Sequence, residues 1–190
     1  MAEDSRSSNH AWLTTIAAFV IVSLAIGAYV YFNQKPPVAA GQVLGMDIYP
    51  IHRELSTGPS TEGLSGESET YDEVMVFANV RIVNQTDIPI FLQDMWAILD
   101  LPDGPQRSTA ASQSDFDKVF IAYPDVRPFR KNPMPRDLTL PPGQKIEGLM
   151  VFHFDIPKAQ WDARNGMAIH VTFVHQNSLV IQVPKTAGSS

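Results

Sequence analysis

The chain contains no cysteine. That excludes disulfide frameworks, cysteine-based zinc sites, thiol nucleophiles and a lipid anchor built on a cysteine, and it leaves the redox compartment open. Basic residues are also scarce: 14 Lys and Arg against 20 Asp and Glu give a net charge of −6. A nucleic-acid binder normally carries a basic face, so that class is disfavoured. No G-x-S-x-G elbow occurs; Gly63-Leu64-Ser65-Gly66 lacks the frame and sits in a polar stretch. There is no cofactor fingerprint, no internal repeat and no recurring βαβ pattern. Carboxylates such as Asp72-Glu73 and the Asp115/Asp117 pair read as solvated strand and helix ends rather than as a catalytic dyad.

One long apolar run is present. Ala11 to Phe32 (AWLTTIAAFVIVSLAIGAYVYF) carries no charge and suffices to cross a bilayer core of ~30 Å as a helix. Trp12 marks one end, and Tyr29, Tyr31 and Phe32 the other, where amphipathic rings favour the interface. A cleaved signal peptide is the rival reading, with small residues at Val38-Ala39-Ala40. The length of the run and the intervening Pro36-Pro37 favour an uncleaved anchor. Arg6 and Lys35 nearly balance across the span; the short N-terminal tail then favours a signal-anchor with its N-terminus cytoplasmic and the rest periplasmic or at the cell surface. The expected organisation is a tail (1–10), a transmembrane anchor (11–32), a proline-stiffened linker (33–42), an extracytoplasmic domain (43–184) and a flexible tail (185–190).

Beyond the linker the patterns are those of strands. VLGMDIYPIH is a first candidate, followed by the Gly- and Ser-rich stretch Glu54–Thr70, expected as a flexible loop. In YDEVMVFANVRIVN, Val74, Val76, Ala78, Val80 and Ile82 share one face, and Met75 with Phe77 makes the other partly apolar, the mark of an interior strand. IPIFLQDMWAILDL resumes the alternation, with Ile88, Ile90, Leu92, Trp96 and Ile98 assigned to one face and Pro89 to the strand's start. SQSDFDKVFIAY holds a helical turn capped by Ser112 or Ser114, and PDVRPFRKNPMPRD is too rich in proline for regular helix or sheet. LPPGQ suits a type II turn with Gly143 at positive φ. KIEGLMVFHFDI is a further strand. PKAQWDAR is a short helix, with Pro157 in its first turn and Gly166 closing it. MAIHVTFVHQ and SLVIQVP form a closing hairpin around Gln176-Asn177-Ser178. The fold class expected is mainly β: an antiparallel immunoglobulin-like β-sandwich with one or two short helices, preceded by a single N-terminal transmembrane helix.

The stretches NVRIVNQTDIPIFLQDMWAILDLPDG and LTLPPGQKIEGLMVFHFDIP resemble the immunoglobulin-like domains of bacterial envelope proteins of the DUF4352 type. The residues that carry the resemblance are Val80, Asn84, Asp103, Gly104, Pro142, Gly143, Gly148 and Phe152, over about half of the exported region. The Pro105–Asp137 insert and the Glu54–Thr70 stretch depart from the pattern. The resemblance implies an extracytoplasmic binding or adhesion module with no common catalytic centre.

Candidate sites are few. His153 falls on one strand, and His170 and His175 on another at an odd spacing that points them to opposite faces. A metal site is not expected, although His153 and one of that pair could meet across strands. Trp96 and Trp161 read as core. Asn84-Gln85-Thr86 matches an N-glycosylation sequon but lies between two strands, where a polar bend is needed anyway. The most distinctive patch is VRPFRKNPMP, in which Arg127, Phe129, Arg130, Lys131 and Arg136 gather positive charge on an acidic domain. Its functional reading is docking of an acidic partner or anionic lipid; its bland reading is a solvated loop packed through Phe129. The expectation is a non-enzymatic module for protein–protein interaction or envelope assembly; an enzyme or small-ligand receptor with a pocket under residues 105–137 is the alternative.

Overall fold

The computed structural model describes residues 5–33, 37–56 and 68–185. The chain divides into two compact units, Met1–Pro36 and Pro37–Ser190. The first contains helix α1 (Ser5–Asn33). Its window Trp12–Tyr29 has a mean hydropathy of 1.9 and none of it is buried, so α1 has the length and composition of a membrane span or a signal sequence. The middle of the expected loop (57–67), residues 34–36 of the expected linker and the ends 1–4 and 186–190 lie outside the described residues.

The second unit is built from antiparallel sheets. One has the order β1-β2-β6, from β1 (Ala39–Ser56), β2 (Ser68–Asn84) and β6 (Lys145–Phe154). The other has the order β4-β3-β7-β8, from β3 (Ile90–Leu101), β4 (Gly104–Thr109), β7 (Gly166–Phe173) and β8 (Gln176–Val183), with the short β5 (Thr139–Leu140) paired to β3. Helix α2 (Gln113–Ala122), a 3-10 turn (Pro124–Phe129) and helix α3 (Lys158–Ala163) complete the unit.

Alternation along β2 explains the layering. Val74, Val76, Ala78, Val80 and Ile82 enter a core that also takes Leu92, Met95, Ala97 and Leu99 from β3, Phe152 and Phe154 from β6, and Ile169 and Val171 from β7. The intervening Met75 and Phe77 face the opposite way into a second cluster with Phe116 and Phe120 of α2, Val126 of the 3-10 turn, and Leu149 and Val151 of β6. β2 is therefore apolar on both faces because both faces are covered.

The face expected for β3 holds only for its first half. Ile90 and Leu92 are buried, but the register with β7 shifts between Leu92 and Met95. That bulge inserts one residue and exchanges the faces, so Met95, Ala97 and Leu99 turn inward while Trp96 and Ile98 turn outward. Local polar groups fix it: the Asp94 amide donates to Thr172 Oγ1 at 3.0 Å, Thr172 Oγ1 donates to the Asp94 carbonyl at 3.1 Å, and the Met95 amide donates to Asp94 Oδ1 at 2.8 Å. Ile88 precedes the strand and is exposed.

Other boundaries also differ from the sequence reading. β1 starts at Ala39, inside the stretch expected as linker, and the β1–β2 ladder continues through Glu54↔Thr70 to Ser56↔Ser68, so the expected loop is strand at both ends. β4 was not anticipated; Pro105 stands near its start, where a missing donor is tolerated. α2 is a full helix whose Ser112 cap accepts from the Asp115 amide and donates to Asp115 Oδ2 at 2.6 Å. Helix α3 caps at Arg164, and Gly166 opens β7 instead of closing the helix. The final hairpin turns at Val174-His175, with His175 at φ 58°. The Pro142-Gly143 turn is as expected, with Gly143 at φ 67° and the Gln144 amide donating to the Pro141 carbonyl at 3.2 Å.

Two segments close the edge of β6. Met134 donates its amide to the Leu149 carbonyl at 2.9 Å, and Leu149 donates to Asn132 at 2.8 Å. A Cβ on Gly148 would lie 2.4 Å from the Met134 Cα, so only glycine permits this crossing. Ala111 donates to the Val151 carbonyl at 2.8 Å, and Ser108 Oγ accepts from the His153 amide at 2.9 Å.

Candidate functional site

The five residues of the expected cationic patch have separate fates. Phe129 is half-buried against Phe77, with ring centroids 5.4 Å apart. Arg136 is held inward, donating to the Ala110 carbonyl and lying 3.4 Å from Asp94 Oδ1. Arg130 pairs with Asp117 at 2.7 Å and lies over the Phe120 ring. Arg127 and Lys131 are exposed, and among the described residues neither meets an acidic partner. Lys118 is neutralised by Asp115 at 2.9 Å. The Asp115 carboxyl is held below its ordinary pKa by the Ser112 hydroxyl and then by Lys118.

The α2 layer also carries a partly exposed cluster that the sequence pattern does not announce. Arg53 of β1 donates to the Tyr123 hydroxyl and lies over its ring, 5.4 Å from the centroid. Tyr49 meets Tyr123 edge-on at 6.1 Å and reaches Asp125 Oδ2 at 3.5 Å. Ile121, two residues before Tyr123, is 74% exposed. Tyrosine and arginine are among the residues in which the centres of protein interfaces are enriched. The period-2 spacing of Tyr49, Ile51 and Arg53 was a signal for their shared face, but only the tertiary fold brings Tyr123 to it.

Among the described residues, Phe116, Phe120 and Val126 fill the space over Phe77 beneath α2 and the 3-10 turn. Open concavities among the described residues lie elsewhere. One of about 220 Å³ is lined by Ala40, Gly41, Gln42, Arg81 and Val83, and its charged member is already paired, Arg81 to Glu147 at 2.6 Å. Another, about 160 Å³, runs along Ile98, Asp100, Ala168, His170 and Gln182 on the outer face of the second sheet.

That outer face carries Trp96, expected as core but half-buried here because the bulge turned it outward. His170 stacks on its ring at 5.4 Å with planes 5° apart, and the Arg107 guanidinium lies 4.4 Å from the ring centroid. Burial, and then the charge of Arg107, pushes the His170 pKa down. Trp161 is fully buried, with the Arg164 guanidinium 4.2 Å from its ring centroid. Arg164 donates to the Trp161 carbonyl at 2.9 Å and to the Lys185 carbonyl at 2.7 Å, which ties the end of the domain to α3. Burial lowers its pKa.

The histidines do not meet as the strand reading allowed. His153 lies in the first sheet and His170 in the second, and His175 is in a turn. Carboxylates are gathered instead. His153 Nε2 lies 3.0 Å from Glu73 Oε2, and Nδ1 lies 3.6 Å from Asp155 Oδ1. His52 Nδ1 lies 2.6 Å from Asp72 Oδ1, and Nε2 lies 3.5 Å from Glu54 Oε1. The hydrogen bond to Asp72 raises the His52 pKa, with its charge adding to the effect. Asp72 and Glu73, read in sequence as two solvated acids, thus serve histidines on opposite faces of one sheet.

The sequon asparagine is 1% exposed. Its amide donates to the Ile88 carbonyl at 2.8 Å and the Leu140 carbonyl at 3.0 Å, and its Oδ1 accepts from the Thr86 amide and hydroxyl. Asn84 is a buried clasp joining the β2–β3 bend to β5, with no nitrogen left for a sugar.

No protein-family model and no curated protein matches the sequence. Among solved structures, the chain is similar to the yjhA protein from Bacillus subtilis, at 12% identity and a TM-score of 0.42, over 79% of this chain and 94% of that one. A second similar structure is structural-genomics target SoR45, at 8% identity and a TM-score of 0.33, over 74% of this chain and 83% of that one.

Proposed function

We propose that the protein is a membrane-anchored, non-enzymatic β-module of the cell envelope, immunoglobulin-like and of the DUF4352 type, that docks an acidic protein partner. In this reading α1 is an uncleaved signal-anchor, and the domain from β1 to β8 lies outside the cytoplasm. The docking surface is the α2 layer with the edge of β1: Arg53, Ile121, Tyr123, Arg127 and Lys131. The observation that carries the reading is that the α2 layer presents exposed Arg53 over a half-buried Tyr123, exposed Ile121, and two cations that lack acidic partners among the described residues, on a chain of net charge −6. Long-range charge complementarity then selects and steers an acidic surface. The filled space beneath α2 supports docking over a buried small-molecule pocket.

Crosslinking in native membranes followed by purification of the full chain tests this. A reproducible protein adduct that disappears with Arg127→Glu plus Lys131→Glu is the expected result, and an adduct indifferent to both charges contradicts it. Protease added to intact spheroplasts tests the topology: the domain should be digested, and its survival would place it inside.

A further inference from the structure

We propose that Glu73, His153 and Asp155 form a binding site for a divalent first-row transition ion, with zinc the best-suited member. The site lies on the outer face of the β1-β2-β6 sheet and is independent of the partner docking proposed above. Strand geometry builds it. His153 and Asp155 are two residues apart, so both side chains leave the same face of the chain as β6 ends. The ladder pairs Val74 with Phe154 and Met75 with His153, and one further step places Glu73 opposite Asp155. Directly opposed and diagonal neighbours on one sheet face stand about 5–8 Å apart at their Cβ atoms, within reach of a shared ion.

The side chains use that placement. One ligand atom from each of the three residues lies within 4.8 Å of the others, and the Glu73–His153 separation of 3.0 Å is already close to a ligand–ligand edge. Zinc bonds of about 2.0–2.2 Å to nitrogen and oxygen need only a small contraction of the set. Glu73 has a side chain 24% exposed and Asp155 one 84% exposed, so the ion would be gripped on the protein side and keep a position open to solvent. The backbone beneath is pinned, since the His153 amide donates to buried Ser108 Oγ at 2.9 Å. The imidazole favours zinc, nickel or copper over magnesium and calcium, which prefer all-oxygen shells.

The same sheet supplies its own control. His52, Glu54 and Asp72 repeat the composition, with the same i, i+2 spacing and a cross-strand acid. Their ligand atoms do not converge within 4.8 Å; among the described residues only the His153 set does. Residue content alone therefore does not make the site, and the geometry singles out one of the two clusters.

The test is calorimetric titration of zinc, with magnesium as a second titrant, into the full chain in detergent micelles. One zinc per chain is expected, with magnesium giving no comparable heat. His153→Ala and Glu73→Gln should each weaken zinc binding by at least about tenfold, while His52→Ala leaves it unchanged. His153 is exposed and Glu73→Gln is close to isosteric, so melting curves without metal should stay near those of the unsubstituted protein. Glu73→Gln keeps the side-chain shape if His153→Ala does not fold. Zinc binding that survives both substitutions, or that falls equally with His52→Ala, overturns the proposal, as does the absence of zinc binding to the unsubstituted chain.

Discussion

The outer faces of the two sheets make the most instructive comparison in the molecule. On the β1-β2-β6 sheet the outer face is roofed: Phe116, Phe120 and Val126 descend onto Phe77, Met75 and Val151. On the β4-β3-β7-β8 sheet no described helix covers the outer face, and among the described residues Trp96 is flanked by its strand neighbours, His170 and Arg107. The roofed face presents new chemistry outward through the α2 layer, including Ile121 and two cations, Arg127 and Lys131, that meet no acid among the described residues. On the bare face the Trp96 ring is flanked from within the sheet by His170 and Arg107, while Phe91 and Val180 stay exposed. A covering layer thus adds charged and aliphatic side chains to a surface, whereas the uncovered sheet stacks its tryptophan locally and leaves Phe91 and Val180 exposed.

Substitutions can break that contrast. The largest effect is expected at Phe77, fully buried in the roofed cluster: Phe77→Ala should cost about 3–5 kcal/mol of unfolding free energy. Chemical denaturation would show it, and a loss below 1 kcal/mol would mean that α2 is not packed as described. Asn84→Ala, at the clasp shared by both sheets, should cost about 1–3 kcal/mol by orphaning the buried carbonyl of Leu140. Trp96→Ala on the bare face should cost about 0.5–1 kcal/mol, the scale of an exposed cation–π contact. An effect at Trp96 as large as that at Phe77 would erase the distinction between the faces.

Acid sharpens the comparison further, because histidines in the two sheets titrate in opposite senses. Burial and Arg107 depress the His170 pKa below the 6.5 of the unfolded chain, so the unfolded state binds the proton more readily. Its contribution is present above pH 6.5 and is lost as pH falls through the lower folded value. His52 is raised above 6.5 by its hydrogen bond to Asp72, so its contribution is present below 6.5 and is lost as pH rises through the higher folded value. Melting curves of His170→Gln should lose part of the destabilisation on the acid side, and those of His52→Gln part of that on the alkaline side. The reverse assignment would contradict both environments.

Much of this was legible in the sequence, and the misses share a cause. The double-sided apolarity of β2 announced a central, doubly covered strand, because Met75 and Phe77 break an otherwise clean alternation. The Pro142-Gly143 turn and the α3 segment carried their own local signals. Trp96 was misplaced because a bulge leaves no hydrophobic signature: alternation counted through Gln93 and Asp94 assigns every later residue to the wrong face, and the Thr172 hydroxyl that stabilises the bulge lies 78 positions away. The extension of β1 and β2 into a Ser- and Gly-rich stretch was hidden because ladder pairing overrides composition. The cationic patch was read as contiguous from sequence, yet Phe129 and Arg136 turn inward to hold the covering layer, and Arg53 and Tyr123 complete the surface from distant strand and turn. Similarly, His153 and Asp155 were visible as an i, i+2 pair, but Glu73 joins them only through the β2–β6 register.

The central claim is that the roofed face, not the bare one, meets a partner. A photoreactive amino acid installed in turn at Lys131, on the roofed face, and at Val180, 45% exposed on the bare sheet, would test it in native membranes. The expected result is a discrete protein adduct from position 131 that is abolished by Arg127→Glu, and none from position 180. An adduct from position 180 with none from position 131 would contradict it.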